Sequence, residues 1–418
     1  MGMADTMMIS NLGSNALSAV SLTDAINTLV VQVFAALAAG GTVICSQYLG
    51  QHNIRRCNSA ARQLILVIFI LSISVTTFCY VLRRPLLALI FGDVPAEVME
   101  ASLIYFQITV LSYPFFALLQ GGSALYRACG ASGLPMRISI ITNLMNIAGN
   151  ALLIFVIPMG ITGAALATLI SRVIGAAWIL TALHKGGHEI VIRHYLTIRP
   201  NPSMIRKVMF LSIPSGIENG MFQFGKLAIQ SSISTLGTTA IAAQAMAAIF
   251  ENLNGIVGIG IGIGLMTVVA QCLGAEKKAQ AVYYIKKLSI WAEIGILLSC
   301  LMTYIFADPI LKIAGMESDA YFLCMRMILI ISICKPILWV PSFIPPYGFR
   351  AAGDVRFTML TSSLTMWIFR VAGTIFMIRV LHLGILSVWL GMFTDWFVRG
   401  LIFTFHFIKG RWMDTSIL

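Results

Sequence analysis

Apolar residues dominate long stretches near 1–11, 16–44, 60–82, 99–124, 134–157, 160–183, 205–233, 240–270, 286–306, 322–347, 357–380 and 384–408, with short polar segments between them. A membrane-crossing helix takes roughly 20 mostly apolar residues, so the pattern predicts about twelve such helices, the first of them short. Composition agrees: 58% of the 418 residues are apolar and only 11% are charged, against about 25% in soluble domains. With a mean hydropathy of +0.89, a soluble enzyme, a disordered chain and a disulfide-stapled secreted domain are all disfavoured.

The net charge of +12 would suit a nucleic-acid binder, but its placement says otherwise. The segments after the second, fourth, sixth, eighth and tenth helices, with the C-terminal tail, hold eighteen Lys and Arg residues, among them Arg55, Arg56, Arg62, Arg199, Lys277, Lys278, Lys286 and Lys287. The opposite segments hold four, namely Arg83, Arg84, Lys312 and Arg379. That bias is the positive-inside signature. It puts both termini and the 184–204 loop in the cytoplasm and makes nucleic acid an unexpected partner.

The eight cysteines lie mostly in apolar helices without C-x-x-C pairing, so they read as small hydrophobes. The first apolar stretch has no basic leader, so no cleavable signal peptide is visible. Met1–Thr6 fits a myristoylation pattern, but a six-residue match is weak.

An internal repeat organises the chain. Leu12-Gly13 through Leu49-Gly50 matches Leu236-Gly237 through Leu273-Gly274 at an offset of 224, and Pro85 meets Pro309 and Gly160 meets Gly384 at that same offset. R-A-x-G at Arg127–Gly130 meets R-A-x-G at Arg350–Gly353 one residue out of step. The chain is therefore read as two parallel six-helix lobes related by a pseudo-two-fold axis along the membrane normal, with a pathway between them. Their predicted bounds are 1–183 and 205–418, joined by a loop over 184–204. The register also places Met1 opposite Gly225, well inside the seventh helix, so the first helix is expected to be incomplete, with an upstream start missed or the chain shortened.

Charges within apolar helices are functional candidates, because a charge at the bilayer centre costs roughly 2.5–3.5 kcal/mol on insertion scales. The acids are Asp5, Asp24, Glu218, Glu251, Glu293 and Asp395; the bases are Arg172, Lys226, Lys335, Arg370 and Arg399. Asp5 has no base near it in sequence, and burial would raise its pKa so that it could load and release a proton near neutral pH. Asn143, Asn146 and Asn150 recur at helical spacing on the fifth helix, where they could bind a carboxyl, line a wet cavity or glue helices together. Glu218, Gln223 and Lys226 suggest a polar cavity wall on the seventh helix. Asp395 and Arg399, at i and i+4, read as a structural ion pair with Arg370 nearby. Pro114 in the fourth helix and Pro336 and Pro341 in the tenth predict broken helices and a hinge at related places in the two halves. The glycines at 258, 260, 262 and 264 suit close helix packing, since no strand precedes them to make a dinucleotide loop. His184, His188 and His194 gather no further ligands, so no metal is expected, and no P-loop indicates ATP as the energy source.

Taken together, the chain resembles the multidrug and toxic compound extrusion (MATE) family over nearly its whole length. The resemblance rests on D-T-x-x-x-x-x-L-G at Asp5–Gly13, [S/A]-Q-x-L-G at Ser46–Gly50 and Ala270–Gly274, the two R-A-x-G motifs, N-x-x-x-N at Asn146–Asn150, G-I-x-G-A-A-x-A-T at Gly160–Thr168, I-E-N-G-M-F-Q-F-G-K at Ile217–Lys226, and D-W-x-x-R at Asp395–Arg399. It implies export of organic, often cationic, drug-like compounds in exchange for H⁺ or Na⁺. By that resemblance Asp5, Asn146, Asn150 and Thr168 form the cation-coupling cluster. Lys335 stands in the region where some members carry a tenth-helix acid, which favours proton coupling through the first half. The resulting expectation is an all-α integral membrane antiporter of the cell (inner) membrane. It would be a monomer without cofactor, working by alternating access on small organic substrates. A lipid-linked oligosaccharide flippase of similar lobed architecture is the alternative; a membrane-embedded enzyme would need a metal cluster or a nucleophile–base spacing that the sequence lacks.

Overall fold

The computed structural model describes residues 8–9, 12–92, 95–193, 195 and 197–414, and every regular element among them is helical. Nine of the described helices are long and apolar enough to cross a membrane, ten when one bent pair counts as a single span. The predicted first helix falls mostly outside the described residues, and Asp5 with it. Met8 and Ile9 are helical.

The chain divides into two compact units, Met1–Gly216 and Ile217–Leu418. In the first, α1 (Ser14–Gly50) packs against α2 (Ile54–Val81), α4 (Ala96–Leu111) and α5 (Tyr113–Ala128), with the short α3 (Arg83–Phe91) between α2 and α4. Then α6 (Gly133–Asn150), ending in a wide-turn segment Ala151–Val156, and α7 (Gly160–Lys185) pair with each other, and α7 also packs on α4 and α5. The helix α8 (Pro202–Ile233) belongs to both units. The predicted boundary at 205 thus shifts to Gly216. The reason is local: at Gly40 of α1 a Cβ would fall 3.2 Å from Ser212 N and Val208 O, so only glycine admits this part of α8 so close.

In the second unit, α9 (Thr238–Gly274) packs on α10 (Lys278–Ile313) and α11 (Ser318–Ala352), which also pack on each other. The chain closes with α12 (Val355–Thr365), a second wide-turn segment Met366–Ala372, α13 (Gly373–Arg379) and α14 (Leu386–Lys409), the last lying against α11. Of the glycine run, Gly258 abuts Trp339 and Gly262 abuts Tyr347, while nothing approaches Gly260 or Gly264 within 4 Å. Close packing therefore uses one i, i+4 pair of the run, on the face turned to α11.

Helices overrun the apolar stretches that foretold them. Arg55, Arg56 and Arg62 lie on α2, and Lys278, Lys286 and Lys287 on α10, not in loops. The apolar run marks only the lipid-facing length, whereas a helix satisfies its own backbone and can continue into water.

The proline breaks are one-sided. In the first unit the chain breaks at Ser112, α4 and α5 are bent by 41°, and Pro114 sits in the first turn of α5, where its missing N–H leaves no bond unmade. In the second unit α11 runs unbroken through Pro336, Pro341, Pro345 and Pro346. The expected matching interruption is absent there: α11 is held by α9, α10 and α14 together, and packing outweighs the lost backbone bonds.

Candidate functional site

In the first unit, α6 buries Asn146 and Asn150 completely. Asn146 Nδ2 donates to Thr168 Oγ1 on α7 at 3.1 Å, and its Oδ1 is buried without a partner among the described residues. Ile9 is buried in a cluster with Val20, Tyr105, Ile154 and Ala164, and Ala164 stands one helical turn before Thr168. Asn143 is only half-buried and turns away from this pair to line a cleft of about 540 Å³ with Phe116, Arg127, Thr142, Ser171 and Arg172. Three residues on from Asn143, the helix has turned 60° short of a full revolution, which separates the two roles.

Asp24 and Arg172, candidates in the sequence, each take partners in this unit that the sequence did not announce. Asn27 Nδ2 donates to Asp24 Oδ1 at 3.1 Å, and Tyr113 Oη donates to Asn27 Oδ1 at 2.7 Å. At the helix break Arg172 donates to Ser112 Oγ at 2.7 Å, Ser112 donates onward to Thr109 O, and the guanidinium lies 4.9 Å from the Phe116 ring centroid. Asp24 and Asn27 at i, i+3 on an apolar helix were the available signal; Tyr113 lies 86 residues beyond Asn27 and Ser112 lies 60 residues from Arg172, out of reach of local spacing.

Several carboxylates of the second unit are closed by bases. Lys335 Nζ lies 2.7 Å from Glu251 Oε1 and also donates to the Glu251 carbonyl; the Lys335 side chain is wholly buried. Arg350 pairs with buried Glu218 at 2.7 Å, Asp395 with Arg399 at 3.2 Å, and Asp354 with His406 at 2.7 Å. The Arg399 guanidinium lies 4.2 Å from the Phe343 ring centroid. Arg370, placed with Asp395 and Arg399 by the sequence, makes no hydrogen bond or ion pair to them, and its Nε is buried without a hydrogen-bond partner among the described residues. Half-buried Glu293, within the span of α10, has no base in ion-pair range among the described residues.

The cavity wall expected from Glu218, Gln223 and Lys226 does not form as one surface. Glu218 is buried against Arg350, Gln223 is half-buried and Lys226 is exposed. Two i+4 steps drift 80° around a helix, so Lys226 leaves the face that Glu218 occupies. His188 meets Tyr126 edge-on and His184 lies near Tyr195; His194 lies outside the described residues.

Long apolar helices carrying hydrogen-bonded polar clusters in their interior, beside an open cleft, define a multi-pass membrane protein. The comparisons fix which. Residues 1–152 and 214–376 match the MatE family. The probable multidrug resistance protein NorM of Thermotoga maritima is 24% identical over all of this chain and 90% of its own. The uncharacterized transporter YisQ of Bacillus subtilis is 26% identical over all of this chain and 92% of its own. A solved multidrug resistance MATE family transporter in an outward-facing conformation shares the fold at a TM-score of 0.92, with 16% identity over 99% of this chain and 92% of that one. The chain belongs to the MatE family: it is a transporter, not an enzyme.

Proposed function

We propose that the protein exports organic, drug-like compounds across the cell membrane by antiport with H⁺, using alternating access, with both termini in the cytoplasm. One observation carries the coupling assignment. Buried Asn146 Oδ1 is an acceptor with no described donor, in the network that Thr168 completes. A protonated carboxyl can donate to such an oxygen and a carboxylate cannot, so the cluster prefers a carboxyl partner that carries its proton. Asp5 is the candidate: Ile9, four residues after it in sequence, is buried in the same cluster as Ala164, which stands one turn from Thr168.

The ion pairs of the second unit support placing proton exchange in the first. Glu218, Glu251 and Asp395 are each already held in an ion pair with a base, whereas the Asn146 acceptor of the first unit has no described donor. The 540 Å³ cleft supplies room for a compound, with Phe116 for an aromatic ring and Arg127, Arg172 and Asn143 for its hydrogen-bond acceptors.

The test is dye efflux from energised vesicles. Asp5→Asn keeps size and polarity but cannot exchange a proton; we expect efflux to lose its dependence on the pH gradient. Unchanged efflux and unchanged pH dependence would overturn the coupling role. Asn146→Leu, which removes the acceptor, is expected to weaken the gradient dependence in the same direction.

A further inference from the structure

A second cleft of the first unit, about 680 Å³, opens beside the start of α2. Its lining includes Arg55, Arg62 and Arg199 and no carboxylate. The loop that forms its other wall is fastened down. Asn58 Nδ2 donates to Glu189 O at 3.0 Å while its Oδ1 accepts from Val191 N at 2.7 Å. Gln63 Nε2 donates to Arg199 O at 2.9 Å while its Oε1 accepts from Asn201 N at 3.0 Å. Both side-chain amides therefore spend donor and acceptor on loop backbone, and the walls are preformed. The loop's own acid, Glu189, is turned toward Cys129 and does not neutralise the arginines.

The arginines also continue a lipid-facing stripe. Arg55, Arg62 and Phe69 follow one another at seven-residue spacing on α2, which keeps them on one face within about 20° per step. Phe69 and Ile73 are exposed on that face, so it passes from apolar to basic at one end of a membrane-spanning helix. We propose that this cleft binds a phosphate-bearing anion, and that its position favours a phospholipid headgroup: guanidiniums grip the phosphate in bidentate fashion while an acyl chain lies along Phe69 and Ile73. Naming the cytoplasmic leaflet rests on the orientation proposed above; the binding itself does not.

The test uses the purified full chain in neutral detergent, with phosphatidylglycerol, phosphatidylcholine and inorganic pyrophosphate as probes. Bound lipid is counted by native mass spectrometry and affinity is read from the shift in thermal midpoint. A basic residue near any anionic surface contributes roughly fivefold to binding, so the control removes the same charge elsewhere: Lys277→Gln/Lys286→Gln/Lys409→Gln. Lys286 is in repeat register with Arg62 but has no clamped loop beside it. We expect Arg55→Gln/Arg62→Gln/Arg199→Gln to lose about tenfold more affinity for phosphatidylglycerol than the control, and the Arg→Lys triple to fall between. Phosphatidylglycerol retained against millimolar pyrophosphate identifies the lipid source. Pyrophosphate that binds alone and displaces lipid identifies a soluble phosphate compound at the same site. Equal losses in both triple variants, or no arginine dependence with either probe, would overturn the site. Unfolding in phosphatidylcholine checks that each variant is folded. Orientation is read separately, from a C-terminal fluorescent fusion in intact cells, so its failure and failure of the site are distinguishable.

Discussion

The two halves descend from one repeat, yet they handle membrane-buried polarity in opposite ways. The second half neutralises charge with charge: Glu251 with Lys335, Glu218 with Arg350, Asp395 with Arg399. The first half uses neutral or singly charged chains, Asn146 to Thr168 and Tyr113 through Asn27 to Asp24. Backbone treatment differs in the same sense. The first half breaks at Leu82 and at Ser112, whereas α10 and α11 run through Pro309 and four further prolines without interruption. What the difference teaches is that a shared sequence pattern fixes where helices lie, while a few residues decide how each half satisfies its buried polar groups and where its helices break.

Breaking an ion pair should show the contrast most strongly. Removing one partner of a buried pair strands the other, at a cost of about 3–5 kcal/mol. Lys335→Met is therefore expected to lower the thermal midpoint sharply, and Lys335→Met/Glu251→Leu to recover most of the loss. If the single variant melts like the parent, the second half is not held by charge. In the first half, Thr168→Val removes one neutral hydrogen bond and should cost about 1 kcal/mol, with a larger fall in gradient-driven efflux than in stability. The repeat mates Pro85 and Pro309 give a comparison internal to the chain. Pro309→Ala restores a helix-interior N–H and should stabilise by about 1 kcal/mol or more, within the ~3 kcal/mol interior penalty of proline. Pro85→Ala, in the first turn of α3, should be close to neutral. Smallest of all, Lys312→Ala at the exposed pair with Asp308 should leave the melting curve unchanged within error.

These contrasts also mark what could be read in the sequence. Apolar runs and the 224-residue offset located the helices, because lipid imposes length and apolarity on every span. The i, i+4 pair Asp395–Arg399 was legible for a related reason: helical geometry makes it local. Glu218 with Arg350 and Glu251 with Lys335 are 132 and 84 residues apart, so no spacing announces them. The breaks were half legible. Proline marks where a backbone bond is missing, but whether the helix then bends depends on neighbours, as Pro114 and Pro341 show from opposite sides.

The joint at Ser112 has one more consequence. A bend inside a membrane leaves carbonyls at the end of α4 facing a medium without water; here the Ser112 hydroxyl donates to Thr109 O and in turn accepts from Arg172. The guanidinium that fastens the joint is carried by α7 and also lines the 540 Å³ cleft. One side chain therefore stands both at the bend between α4 and α5 and in the wall of the cleft, so a substitution of Arg172 is felt at both places at once.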